Sequence, residues 1–191
     1  MELKYRIEDT DKLRRRFDPK QVDKAHRWAI NAVSRRAATF ISRDIRSVFA
    51  IKAGDIKRSL QIRKYRDNAS RALLYTGGLI PLEEFKPKTK RKVIHATSKK
   101  GKKFKTSRRA TTVRVRKDRG RRTVAGGFYA KGRVMRRREA DRNDSTPIPM
   151  FGPSVPGMVA HPSTIDGAQN LVREELPEQF SKRLDYLLTK D

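Results

Sequence analysis

The sequence predicts an α+β fold: an antiparallel sheet packed by a long N-terminal helix and a kinked C-terminal helix, with a long basic loop and a proline-rich extended arm. Three observations predict it. Apolar residues recur at three- and four-residue steps towards both ends of the chain, the period shortens towards two in the middle, and prolines cluster just ahead of the last helical stretch. With 191 residues and 36% hydrophobic content, the chain has material for one core of useful size, so a single domain over 1–191 is expected.

The first helix is expected to begin at Asp18-Pro19, an N-cap acid followed by a proline at the first helical position, where a missing N–H costs nothing. Val22, Ala25, Ala29, Ala32, Val33, Ala37, Phe40, Ile41, Ile45 and Val48 form its apolar stripe, which carries it to about Phe49. The alanines, Ala32 among them, make a narrow surface that another element can approach closely. Gly54-Asp55 opens a short second helix with Ile56 and Leu60 inward. Residues 61–65 and 71–76 then read as strands, ended by Gly77-Gly78 and Pro81.

Residues 86–110 lack apolar periodicity and are rich in Lys, Ser, Thr and Gly, so they form a basic loop or a pair of frayed strands. In 111–116, Val113 and Val115 alternate with Arg114 and Arg116, which gives a strand one apolar and one basic face. The apolar face is expected to share a core with the stripes of the two long helices. A turn at 117–120 leads into a strand over 123–130, and a further strand spans 132–137. The stretch 147–159 holds Pro147, Pro149, Pro153 and Pro156, which exclude a helix and leave an edge strand or an arm over about 145–161. Pro162 and Ser163 introduce the last helix, with Ala168, Leu171, Val172, Leu176, Phe180, Leu184, Leu187 and Leu188 on one stripe. Pro177 lies inside that stripe without changing its phase, which predicts a kink.

Charge is the strongest functional signal. Residues 86–138 hold 23 Lys and Arg against one acid, Asp118, and so supply +22 of the formal net charge of +27. A polyanion or an acidic protein surface is the partner such a block selects, since neutralising phosphate needs cations but no particular spacing. Lys99, Lys100, Lys102, Lys103, Arg108, Arg109, Arg114, Arg116, Arg136, Arg137 and Arg138 are the candidate polyanion contacts. Ile148, Met150, Phe151, Val155 and Met158, held extended by the prolines, are the candidate partner-docking residues of the arm. Phe104, Phe128 and Tyr129 do not make the paired stacking platform of a sequence-reading RNA-binding sheet.

Catalytic chemistry finds no constellation. There is no cysteine, and His26, His95 and His161 are far apart with no metal-ligand spacing, so no metal or cofactor is expected. GKKFKTS at 101–107 lacks the glycine before the lysine that a phosphate loop needs. Glu83-Glu84 and Asp141 with Asp144 read as solvated acids, and Ser154 lacks a nucleophile elbow and a base. No enzyme is predicted. Residues 1–17 contain no apolar signal region, and no stretch approaches the roughly 18 apolar residues of a membrane span, so no membrane partner is expected.

The segments AINAVSRRAATFISRDIR, IKAGDIKRSLQIRK, AGGFYA, IPMFGPSVPGM and VREELPEQFSKRL together resemble the minor tail protein Z family of tailed bacteriophages and prophages, over residues 20–188. The GPSVP run at 152–156 and the final helix with its internal proline carry most of the resemblance. It implies a structural virion protein that completes the head-proximal end of a tail, after assembly in the host cytoplasm. It further implies a homo-oligomeric ring, six copies by analogy, in contact with other tail or neck proteins and non-specifically with genomic DNA. The alternative left open by composition is a cellular nucleic-acid-binding protein of ribosomal or nucleoid type.

Overall fold

The computed structural model describes residues 17–65, 70–97, 101–137 and 146–189. They form two compact units: one gathers the chain up to Ile45, Ala53–Gly77 and everything from Val155 onward, the other Arg46–Lys52 and Gly78–Ser154.

The first unit is built on helix α1 (Pro19–Val48), whose last turn enters the second. Its start is fixed as the sequence predicts: the Lys20 backbone N–H donates to Asp18 Oδ1 at 2.9 Å, satisfying a donor that the first turn leaves open. α1 buries Val22, Ala25, His26, Ala29, Ile30, Val33, Ala37, Ile41 and Ile45. Ala32, Phe40 and Val48 of the expected stripe are only half-buried, while His26 and Ile30 lie inside. The buried face is therefore rotated slightly towards His26 and Ile30, and Ala32 falls on its shoulder.

Against that face packs the last helix, α4 (Pro162–Leu188), through Leu176, Phe180, Leu184 and Leu187, with Leu171 and Val172 at the margin. Ala25 and Ala29 are 0% exposed, because residues without side-chain bulk let the two helices close on each other. Gly167 serves the same end higher up: a Cβ there would lie 2.6 Å from Phe40 Cζ. Near that point Thr164 Oγ1 donates to Asp44 Oδ2 at 2.5 Å, and Arg36 pairs with Glu175 at 2.9 Å, an exposed pair that contributes about 0–1 kcal/mol. Leu188, expected on the stripe, is exposed. Pro177 does not interrupt α4; it occupies an exposed position, where the carbonyl it leaves without a donor in the preceding turn can be solvated.

Helix α2 (Ala53–Ser59) buries Ile56 and leads into a hairpin of β1 (Leu60–Lys64) and β2 (Arg71–Tyr75), in register from Leu60↔Tyr75 to Lys64↔Arg71. β2 is the inner strand, with Ala72, Leu73 and Tyr75 buried, and Arg71 Nε reaches Asn31 Oδ1 at 3.1 Å. The Tyr75 hydroxyl is buried without a hydrogen-bond partner, and burial pushes its ionisation up to about 12. Helix α3 (Val155–Val159) completes this unit and corrects the expectation of an arm extended throughout 145–161. Pro156 sits in the helix's first turn, where its missing N–H is harmless, so the prolines stop the strand without preventing a turn of helix. Val155, Met158 and Val159 point inward and are buried.

The second unit holds β3 (Leu79–Pro81), a 3-10 turn (Leu82–Phe85), β4 (Lys88–Thr97), β5 (Lys103–Val113), β6 (Arg122–Thr123), β7 (Gly127–Ala130), β8 (Arg133–Arg137), β9 (Pro147–Pro149) and β10 (Phe151–Ser154). All pairings are antiparallel. The α+β class holds, with one difference: instead of one sheet the described residues form four small ones, β1-β2, β10-β3, β4-β5-β6 and β7-β8-β9. Left-handed turns at Gly120, Gly126 and Gly132, and the prolines of β3 and β9, end each strand before a wide sheet can grow. Val113 is buried and Val115 half-buried in this second unit, so the core shared with both helical stripes does not form; the stripes close on each other, and α3 packs on α2 and β2. Residues 86–110, expected as a loop or frayed strands, make most of the β4–β5 hairpin.

Ala29→Asp should unfold the first unit or cost about 3–5 kcal/mol, because it buries an unpaired charge, whereas Ala32→Asp on the shoulder should cost much less. Urea melts of the two variants check this. For Tyr75 the unfolded chain ionises near pH 10 and the fold near 12. Its share of the stability is therefore intact below pH 10 and lost as the pH rises towards 12. Tyr75→Phe should be neutral or mildly stabilising at pH 7, since it removes an orphaned hydroxyl, and should melt higher than the parent chain at pH 11.

Candidate functional site

The basic region folds around a very small core. Among the described residues of the second unit, Ile51, Leu82, Phe85, Thr111, Val113 and Val134 have buried side chains, with Phe85 at 0% exposure. The 3-10 turn places Phe85 inside and ends at Lys86 in a left-handed conformation, φ 50°. The proline-rich run is laid against it: the Leu82 N–H donates to the Met150 carbonyl at 3.0 Å and the Met150 N–H to the Val134 carbonyl at 2.9 Å. Gly152 lies on the Phe85 ring, where a Cβ would sit 2.8 Å from Cε2.

From this base rises the β4–β5 hairpin, ten residue pairs from Lys88↔Thr112 to Thr97↔Lys103, with Gly101 in its turn at φ +76°. GKKFKTS is thus a hairpin turn and a strand, with no helix to receive a phosphate. The register sets Arg91 opposite Arg109 and, one position along, Lys92 opposite Arg108. Cross-strand neighbours lie about 4.5–5.5 Å apart at Cβ, so like charges there destabilise the ladder. β5 is anchored at its far end by Thr111 and Val113 and by β6, through Thr112↔Thr123 and Val113↔Arg122.

Beyond Val113 the chain is stitched to the end of α1. The Ala50 N–H donates to the Val115 carbonyl at 2.9 Å, the Lys117 N–H donates to the Val48 carbonyl at 2.7 Å, and Phe49 bridges Arg116. Arg116 stacks on the Phe49 ring at 5.4 Å and binds Asp118 through Nε and Nη2 at 2.9 and 2.8 Å. That hydrogen bond holds the Asp118 carboxyl below its usual range. Arg121 Nη1 donates to the Lys86 carbonyl at 2.8 Å, and Arg114 Nη2 to the Lys117 carbonyl at 2.8 Å.

Of the candidate polyanion contacts, Lys102, Lys103, Arg109, Arg114 and Arg136 are exposed, and Arg137 is half-buried. Arg116 is half-buried and engaged with Phe49 and Asp118, so its first role is structural. Arg108 is placed by its strand register only, and Lys99, Lys100 and Arg138 lie outside the described residues. The candidate arm folds back on its own chain: β9 pairs with β8 and β10 with β3. Val155 and Met158 are buried in the first unit, Ile148 and Met150 are half-buried, and Phe151 remains 46% exposed.

Two of the acids considered for catalysis have other partners. Glu84 pairs with Lys52 at 2.8 Å, Glu83 Oε2 accepts the Val134 N–H at 3.5 Å, and Asp141 and Asp144 lie outside the described residues. His161 Nδ1 lies 2.8 Å from Ser163 Oγ, and His26 meets the edge of Phe180. Among the described residues no group of three or more His, Cys, Asp or Glu is placed to hold a metal, and no helix is long and apolar enough to cross a membrane.

The sequence pattern of the family described as Prophage minor tail protein Z (GPZ) matches residues 3–190. The chain belongs to that family. No curated protein and no solved structure matches it. This decides between the two readings that composition left open, in favour of a structural protein of phage tails. Within this minor tail protein, the GPSVP run that carries the resemblance has a structural reason: Gly152 admits the Phe85 ring, and Val155 starts α3. Sequence reasoning missed Phe85; its signal was a lone large apolar residue directly after Glu83-Glu84.

Gly152→Ala should destabilise the protein by about 1–3 kcal/mol, because a buried ring cannot yield to the added methyl without moving the core around it. Gly157→Ala, at an exposed position, is the control. Thermal melts of the two variants compare the cost.

Proposed function

We propose that this tail protein completes the head-proximal end of the phage tail as a closed ring around the DNA channel, six copies by analogy. The observation that supports it is the segregation of charge: +22 of the +27 lies in 86–138, within the second unit, and a ring would set equivalent cations from each copy around one polyanion. Neighbouring tail or neck proteins above and below would meet the same ring. The arm's docking role rests on what stays exposed, Phe151 at 46% and Leu79 at 62%, both on the β3–β10 sheet. Ring contacts are heterologous, so this apolar pair meets a different surface of the next copy.

Light scattering and negative-stain images of the purified chain should show rings; a chain that stays monomeric at every concentration and ionic strength sinks the ring. Phe151→Asp should melt like the parent, since Phe151 is a surface residue, but should enter tails at least tenfold less. Normal incorporation of Phe151→Asp would remove the docking role while leaving the ring reading to the scattering result.

A further inference from the structure

We infer that the exposed apolar face of the β3–β10 sheet of one copy plugs a groove in the helical unit of the next copy. The inference rests on the ring of the proposed function and names the surface that its apolar pair meets. Phe151 stands opposite Pro81, and Leu79 lies two residues from Pro81 on the same strand, so all three share one face of the sheet. The other face is inward, since Gly152 lies on the Phe85 ring. Phe151 at 46% and Leu79 at 62% exposure therefore form one displayed patch rather than two scattered surface residues.

The socket lies in the first unit, where α1, β2 and α4 meet imperfectly. Val33 and Ala37 of α1, Leu73 of β2, and Val172 and Leu176 of α4 line a groove of about 180 Å³. An apolar cavity of about 150 Å³ is enough to take up a benzene ring, so the space suits one aromatic side chain. Ser34, on the same wall, spends its hydroxyl on the Ile30 carbonyl of its own helix at 2.6 Å. Arg71 and Arg173 complete the lining, and Arg71 is held in place by Asn31 Oδ1 and the Ser70 carbonyl at 3.1 and 2.9 Å. A ring entering beside these guanidinium groups adds a cation–π attraction to its burial, which selects Phe151 over Leu79 as the residue that enters.

Charge points to a second copy as the occupant. Two chains of net charge +27 repel each other wherever cationic surfaces face, so a contact between copies needs a place where the charge is locally offset. Glu83 and Glu84 follow β3 directly, and with Asp118 they are the only acids among the described residues of the second unit. The Leu82 N–H bond to the Met150 carbonyl, at 3.0 Å, brings them beside the strand of Phe151. Glu84 keeps 41% of its side chain exposed although it pairs with Lys52. Acids thus flank the plug, and guanidinium groups flank the socket. A heterologous ring needs both surfaces on every copy, and this chain carries both.

The chain has no cysteine, so two introduced thiols report the contact without background. Leu79→Cys, which keeps Phe151, and Gln169→Cys, on the lining of the groove, are made as separate full-length chains, one with a tag that changes its mass. Treated with a short bismaleimide, the mixture should give a dimer of one chain of each kind, and neither chain alone should do so. A chain with both substitutions should give a ladder that ends at the number of copies in the ring. Arg173→Glu, at an exposed position, should raise the concentration at which rings form about tenfold. Gln169→Trp, which fills the groove, should abolish rings, and Phe151→Tyr should assemble better than Phe151→Leu; thermal melts show that these variants fold. Rings whose Leu79 and Gln169 positions fail to cross-link overturn the inference and leave the ring standing, as does a double variant that cross-links only within one chain. Dimers of Leu79→Cys alone would make the contact isologous and overturn it too. Normal rings of Gln169→Trp that no longer enter tails would assign the groove to another tail protein and end the inference. A chain that is monomeric at every concentration takes the ring and this contact with it.

Discussion

Between residues 86 and 138 the chain has one carboxylate, Asp118, to set against 23 cations, and the repulsion among them must be outweighed by few buried groups. Phe85, Val113, Val134, Leu82 and Thr111 are most of what the second unit buries, a small core by any measure. The remaining hold comes from backbone. Segments remote in sequence are drawn in to satisfy its hydrogen bonds: Ala50 to Val115, Met150 to Val134, Leu82 to Met150. Arginine takes part in the same economy, with Arg121 capping the Lys86 carbonyl and Arg116 held between Phe49 and Asp118. Some of the charge thus stabilises the fold locally, and the rest is displayed on the hairpin and β8.

The first unit meets no such constraint and is held by ordinary burial. Ala25, Ala29 and Gly167 remove bulk wherever α1 and α4 approach, and Phe180, Leu184 and Leu187 fill the space so opened. Its polar ties, Thr164 to Asp44 and Arg71 to Asn31, fix register more than they add energy. A helical unit held by ordinary burial is not exposed to the repulsion that acts within the highly charged one.

What could be read in advance follows from the range of the interactions involved. The Asp18 cap, the stripe of α1, the β1–β2 strands and β8 depend on neighbours within a few residues, and the sequence states them openly. The β4–β5 hairpin was legible only as an open choice, because Lys, Thr and Ser alternate there without an apolar face to fix a period of two. Helix α3 was concealed by its own prolines, whose effect depends on whether they fall before, in or after the first turn. Which core Val113 would join could not be read at all, since the separation into two units is decided by long-range packing. For the candidate site, sequence gave the sign and place of the charge but could not tell Arg116, spent on Phe49, from Arg109, which lies open.

The second unit is not a contiguous stretch: it consists of 46–52 and 78–154, and Phe49, at the end of α1, supplies the bridge partner of Arg116. The basic segment is therefore no cassette that could be spliced in or out at two loop ends. Removing 78–154 would strand the last turn of α1 with unanswered carbonyls at Val48 and an open N–H at Ala50. In descent, the charged part and the helix it borrows from have to change together. Relatives that lengthen, shorten or recharge the hairpin would be expected to carry matching changes around Phe49, so the history of the cationic surface should be written partly in a helix that bears little of its charge.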